Sequence, residues 1–232
     1  ILRTRMKKTL LVIMITMLTF VGKSYAEMSY GISLAYTQIN ADGTETEGGE
    51  SNTGSADHNV IIPSLFAEYA YSDKVSVGLD YIPLSADVSD KAKSRTDTET
   101  SVTGTTTTTT TSRTQTAQAE LSNHVTLYSH YMLNDAAYVK AGVAFVQLKT
   151  DETLGTGSKY GNEDIYGGVI GLGAKSGNSR FELVYTDYED VSLTSTVART
   201  GVTTNNKIDA DLDTLAFKYS YEIGRASCRE RV

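Results

Sequence analysis

Met28-Ser29-Tyr30-Gly31-Ile32-Ser33-Leu34-Ala35-Tyr36-Thr37 alternates without a break. Met28, Tyr30, Ile32, Leu34 and Tyr36 share one parity; Ser29, Gly31, Ser33, Ala35 and Thr37 share the other. A period of two belongs to a β-strand whose faces meet different media. The first stretch spans residues 28–39, and the pattern returns at 60–71, 75–84, 121–132, 137–148, 165–175, 180–188 and 208–221. No segment carries a helical period. The links after the second, fourth and sixth stretches are short and rich in turn residues: Ser72-Asp73-Lys74, Asn134-Asp135-Ala136 and Ser176-Gly177-Asn178-Ser179. The links after the first, third, fifth and seventh are long and polar.

Strict alternation of short and long links predicts one architecture: an all-β fold, an eight-stranded antiparallel up-and-down transmembrane β-barrel with short periplasmic turns and longer outside loops. In a bilayer every backbone N–H and C=O must be paired within the protein, so strands cross only as a closed ring. Aromatic side chains should gather at the two interfaces. Threading the strands up and down places Tyr30, Tyr69, Tyr71, Tyr131, Tyr219 and Tyr221 near the periplasmic ends. It places Tyr36, Tyr81, Phe145, Tyr166 and Tyr185 nearer the outside. A soluble periplasmic sandwich would also alternate, but it predicts neither the two girdles nor the loop rhythm.

The ends read differently from the middle. Residues 6–26 are expected to be a signal peptide: Lys7 and Lys8, a short apolar run at 10–21, and the small-x-small site Ser24-Tyr25-Ala26. That run is too short to span a bilayer comfortably as a helix. Residues 1–5 are expected to be upstream read-through. Residues 222–232 resemble a translated sequencing adapter and are set aside as an artefactual tail. They carry the single cysteine, Cys228, which leaves the expected barrel domain, 27–221, without thiols, as suits an exported protein. The chain holds 21 Lys+Arg against 28 Asp+Glu, a net charge of −7. The span between the ends is more acidic still, which argues against nucleic-acid binding.

The trimmed chain resembles the small outer-membrane β-barrel proteins of Gram-negative bacteria, a porin-like group that includes OmpA-, OmpX- and OmpW-type barrels. The last stretch carries the likeness most clearly, with Leu215, Phe217, Tyr219 and Tyr221 in one parity. The group's last strand ends on an aromatic in that parity, where this chain has Ile223. The resemblance implies placement in the outer membrane, outer-membrane lipid and lipopolysaccharide as surroundings, and recognition by the barrel-assembly machinery through the last strand. A monomer is expected.

The inward parity holds Glu68, Asp80, Glu120, Lys140, Arg180, Glu182 and Lys218. An eight-stranded barrel is just wide enough to be filled by side chains. Charges inside it must pair, which predicts a polar plug with Lys140 and Arg180 bridging the carboxylates. The outside loops are acidic, with Asp42, Glu45, Glu47, Glu50 and Asp57 in the first. The loop at 87–118 contains an unbroken threonine run at 105–111. It predicts either disorder or a solvated extension of its flanking strands. Carboxylates at alternate positions could hold calcium, but a solvated rim accounts for them better, and no metal, cofactor or catalytic residue is expected. Ser122 with His124, and Ser129 beside His130, lack the third member and the elbow of a nucleophilic site. The expected role is structural or surface-interacting, with the acidic loops displayed outside the cell. The alternative is a narrow porin-like channel for small or apolar solutes.

Overall fold

The computed structural model describes residues 27–47, 50–103, 107–154, 159–196 and 206–227. The expected signal peptide and the residues before it lie outside these. Among the described residues eleven strands follow one another: β1 (Glu27–Glu47), β2 (Glu50–Ala70), β3 (Val75–Ile82), β4 (Ala86–Asp87), β5 (Lys93–Thr103), β6 (Thr107–Met132), β7 (Ala137–Thr153), β8 (Asn162–Ser176), β9 (Ser179–Tyr188), β10 (Val191–Thr194) and β11 (Lys207–Ser227). Eight of them pair antiparallel in the order β1-β2-β3-β6-β7-β8-β9-β11, and β11 pairs β1 to close the ring. Each of the eight alternating stretches coincides with one wall strand, although the second runs one residue past β2 and the third two residues past β3.

The wall is strongly staggered. A row of paired residues leaves β11 at Gly224 and passes Tyr30, Ala67, Leu79, Leu127, Val143, Gly168 and Asp187. It returns to β11 at Asp213, well up the same strand. Such a shift is the geometric condition for closing eight tilted strands. The short turns, at the end expected to face the periplasm, are tight, as their composition requires. In one, Asn134 Oδ1 accepts the N–H groups of Ala136 and Ala137 at 2.9 and 2.8 Å. In another, Gly177 takes a φ of 58°, open to glycine without a side-chain clash.

Outside the ring, Ile32, Leu34, Ile61, Leu65, Leu79, Ile170, Leu172, Leu183, Leu215 and Phe217 are all exposed. Apolar surface held in water costs about 25 cal/mol per Å², and a continuous belt of it marks a membrane face. The interior is two-part. Its periplasmic half holds charged groups. Its outer half holds an apolar cluster including Ile39, Val146, Leu148, Ile165, Val169 and Leu212, capped by Val88, Tyr160, Val191 and Leu193. The expectation was a polar plug of paired charges. The outer half departs from it because inward positions there are aliphatic on several strands at once.

Strand pairing also continues beyond two of the alternating stretches. From Thr107 to Thr111 the threonine run is paired backbone: β5 and β6 pair from Lys93↔Ala117 to Thr103↔Thr107, and residues 105 and 106 lie outside the described residues. Of the two expectations for that loop, this is the extended one. At the other end, the pairing of β11 with β1 does not stop at Tyr221 but continues to Ser227.

One expected interior residue is corrected. Glu120 is half-exposed on the outer end of the wall, with its carboxylate 3.9 Å from Lys149 Nζ. The cause is a β-bulge. On β6 the register jumps from Ser122↔Gln147 to Val125↔Phe145, and Asn123 takes a φ of 53°. One extra residue swaps the faces of everything beyond it. Leu121, expected outside, is therefore buried inside against the apolar cluster, and Glu120 is turned out.

Candidate functional site

The inward parity of five strands brings a charged cluster into the periplasmic half of the lumen. Arg180 on β9 donates from Nη1 to Glu68 Oε2 at 2.5 Å, and its Nη2 lies 3.6 Å from Glu222 Oε2. Lys140 on β7 donates to both carboxylate oxygens of Glu182 at 3.3 Å. Higher in the lumen Lys218 pairs with Asp80 across the barrel. Six of the seven expected interior charges thus meet there, each with an oppositely charged partner; Glu120 is the seventh.

His130, Tyr128, Tyr138 and Glu222 were not among the expected members. The His130 ring lies with Nδ1 3.1 Å from Glu68 Oε2 and Nε2 3.1 Å from Glu182 Oε1, tying the two carboxylates together. It is sandwiched between Tyr128 and Tyr138, with ring centroids 4.6 and 4.3 Å away. The Tyr128 hydroxyl donates to Glu68 at 3.2 Å, and Lys140 Nζ sits 4.2 Å from the Tyr128 ring centre. Such a cation-ring contact adds to the paired charges when water is excluded. The sequence did hold a signal for the aromatics. Gly78 pairs directly with Tyr128, and Gly173 with Tyr138. A Cβ on either glycine would come within 2.3 Å of the tyrosine ring. Inward glycines in adjacent strands therefore mark the floor on which a large inward ring lies.

All ten expected interface tyrosines stand on the outer face of the wall. Tyr30, Tyr36, Tyr71, Tyr81, Tyr131, Tyr185, Tyr219 and Tyr221 are exposed, and Tyr69 and Tyr166 half-buried. Phe145 meets Tyr166 edge-on at 5.1 Å.

Above the belt, carboxylates collect on β1, β11 and the segment before β10. Asp42 faces Asp211 across the β1–β11 ladder. The Asp211 carboxyl is raised above its ordinary range, chiefly because it shares a hydrogen bond with Asp190 and also because of that neighbour's charge. Asp209 is lowered by the ammonium of Lys207, 2.8 Å from its Oδ2. A raised carboxyl contributes stability that is complete below the ordinary carboxylate pKa and is lost as pH rises through the raised value. The β10–β11 ladder, Val191↔Ala210 to Thr194↔Lys207, is therefore expected to lose amide protection as pH rises above the ordinary carboxylate range. Asp190→Asn should flatten the dependence. Protection factors for residues 191–194 that do not change with pH would overturn this.

No family model and no curated sequence matches the chain. Among solved structures it is similar to the outer membrane protein AlkL in lipid bilayers, at 17% identity over 91% of this chain and 98% of that one, TM-score 0.47. It is also similar to the outer membrane protease OmpT from Escherichia coli, at 11% identity over 88% and 99%, TM-score 0.43. A third likeness is to Ail, the attachment invasion locus protein of Yersinia pestis, at 10% identity over 81% and 98%, TM-score 0.31. What settles the class is the molecule's own wall: a closed antiparallel ring, apolar outside and charged within, cannot be stable with that belt in water. The chain folds as a small, closed, membrane-spanning β-barrel.

Proposed function

We propose that this barrel is an axially closed surface protein. Its membrane ring is an anchor, and its working part is the acidic, strand-paired extension above the outer leaflet. The observation that carries this reading is the filled lumen. Glu68, His130, Glu182, Lys140 and Arg180 interlock across the periplasmic half, and an apolar cluster packs above them. Ions crossing such a stack would have to break paired, desolvated charges, at several kcal/mol each.

The role is non-catalytic. Ser122 Oγ is turned to the Gln147 carbonyl, and the His124 ring contacts the Tyr188 hydroxyl at 2.9 Å, so neither serves the other as nucleophile or base. The extension rises on long hairpins, β1 with β2 and β5 with β6, and carries Asp42, Asp190, Asp209 and Asp211 on one side. The surroundings that suit it are outer-leaflet lipid and lipopolysaccharide, whose divalent cations screen an acidic rim. The barrel acts as a monomer, delivered by the assembly machinery through β11.

The chain refolded into a planar bilayer, with a heat-modifiable gel shift as folding control, is expected to be electrically silent. Discrete, reproducible conductance steps from the folded protein would sink the closed-barrel reading and make solute passage the working function.

A further inference from the structure

β6 runs on past the end of its neighbour. The first rung between β6 and β7 is Thr116↔Thr153. Beyond it, from Thr107 to Thr114, β6 pairs β5 alone among the described residues. The other edge of that stretch therefore presents a row of backbone N–H and C=O groups to the outside.

An open edge is a template for another strand, and edges that must stay single are blunted by charges, proline or bulges. The other protruding edges are blunted. β5 carries Lys93, Arg95, Asp97 and Glu99, and the upper part of β2 carries Glu50, Asp57 and an interior glycine, Gly54. β6 is not. Residues 107–111 are all threonine, Ser112 follows, and the only charge up to Thr114 is Arg113. Arg113 stands opposite Asp97 in its own hairpin. Threonine also favours extended backbone.

Such an edge complements itself. Along a strand the N–H and C=O of one residue point to one side and those of the next residue to the other. A twofold axis parallel to two strands would set identical residues level, N–H against N–H. A twofold axis across them makes the strands antiparallel and lets each N–H meet a C=O. The deepest antiparallel overlap that leaves the Thr116↔Thr153 rung intact centres on Thr111. It sets Thr108 opposite Thr114, Thr109 opposite Arg113, Thr110 opposite Ser112 and Thr111 opposite itself. No like charges face each other, which would weaken the pair. Direction then fixes where the second copy stands. Barrels in one membrane insert with one sense, so their upright β6 strands run the same way and cannot meet antiparallel. Copies that face each other from two membranes can.

We propose that the open edge of β6 pairs with the same edge of a second copy in an apposed membrane, which makes the chain a self-recognising contact between cells. The proposal rests on the surface-protein reading above, and each copy remains a monomer in its own bilayer. One pair of edges is short, and many copies on two facing surfaces multiply it. The acidic rims of the two copies repel, so the contact strengthens as salt screens them.

The test uses the full chain with Cys228→Ser, refolded into phosphatidylcholine vesicles, with the heat-modifiable gel shift confirming the fold of every variant. Two vesicle populations carry different lipid dyes, and one carries a tagged chain so that mixed dimers separate on a gel. The mixed populations are expected to cluster, as read by light scattering and energy transfer. Clustering should be faster at about 0.15 M salt than at about 0.01 M, where the Debye length is roughly 30 Å rather than 8 Å. Thr109→Lys combined with Thr111→Lys sets like charges opposite each other and should slow clustering at least about tenfold. With copper–phenanthroline as oxidant, Thr111→Cys should form disulfide dimers between the populations, because opposed Cα atoms lie about 4.5–5.5 Å apart. Thr107→Cys should not, since its two copies lie on the order of 27 Å apart at about 3.4 Å per residue. Vesicles that stay apart, clustering that survives the two lysines, or equal cross-linking of Thr107→Cys each overturns the proposal. So does a Thr111→Cys dimer that forms as fast within one dilute population, which would put the contact in a single membrane. A chain that is electrically silent yet leaves vesicles apart sinks this contact and leaves the closed-barrel reading standing.

Discussion

Replacing Glu182 by alanine is expected to destabilise the folded barrel by about 3–5 kcal/mol. Its carboxylate is 4% exposed and is the common acceptor for Lys140 and His130. Removing it strands an ammonium that is itself buried, beside a ring that has lost one of its two partners. The loss comes from the uncompensated charge more than from the missing attraction, because burying the intact pair already costs much of what the attraction returns. Lys140→Met added to Glu182→Ala should therefore recover a large part of the stability, although each change alone is damaging. Urea unfolding of the refolded protein in lipid, followed by the heat-modifiable gel shift, measures all three variants. A loss below about 1 kcal/mol for Glu182→Ala, or simple additivity in the pair, would show that the cluster is solvated rather than sealed.

Deleting Asn123 is expected to cost at least about 3 kcal/mol, whereas Asn123→Gly should stay within about 1 kcal/mol. Asn123 is the extra residue of the bulge and the one non-glycine among the described residues with a positive φ. Without it β6 pairs β7 in unbroken register, and every side chain above the deletion changes face. Leu121 would leave the apolar cluster for the outside, and Glu120 would enter that cluster away from Lys149. A carboxylate among aliphatic side chains with no cation in reach is among the costliest substitutions a core can receive. Glycine keeps both the residue count and the left-handed backbone, so the faces stay as they are. Comparing the unfolding midpoints of the two variants separates register from side-chain chemistry. Equal midpoints for the deletion and the parent would mean that the bulge does not set the faces.

The alternating runs and the loop rhythm determined the ring, its strand count and its lipid face, because period two is a local property that the membrane amplifies. Tyr30, Leu34, Phe217 and Tyr219 could be read as outward from their own neighbours in sequence. Lys140, Arg180 and Glu182 could be read as inward in the same way, since a charge in a transmembrane strand has only the lumen to go to. Which charge meets which was not legible. The stagger that carries a row from Gly224 around to Asp213 decides that Arg180 faces Glu68 while Lys218 crosses to Asp80. His130 looked like an ordinary inward side chain until the barrel curved Glu68 and Glu182 onto its two nitrogens. Glu120 and Leu121 were assigned to the wrong faces because one unpaired residue, invisible to an alternation count, inverts parity beyond it. The sequence by itself determined which surface each local stretch offers to lipid. The tertiary structure decided every relation across the lumen, because closure and shear depend on all eight strands together.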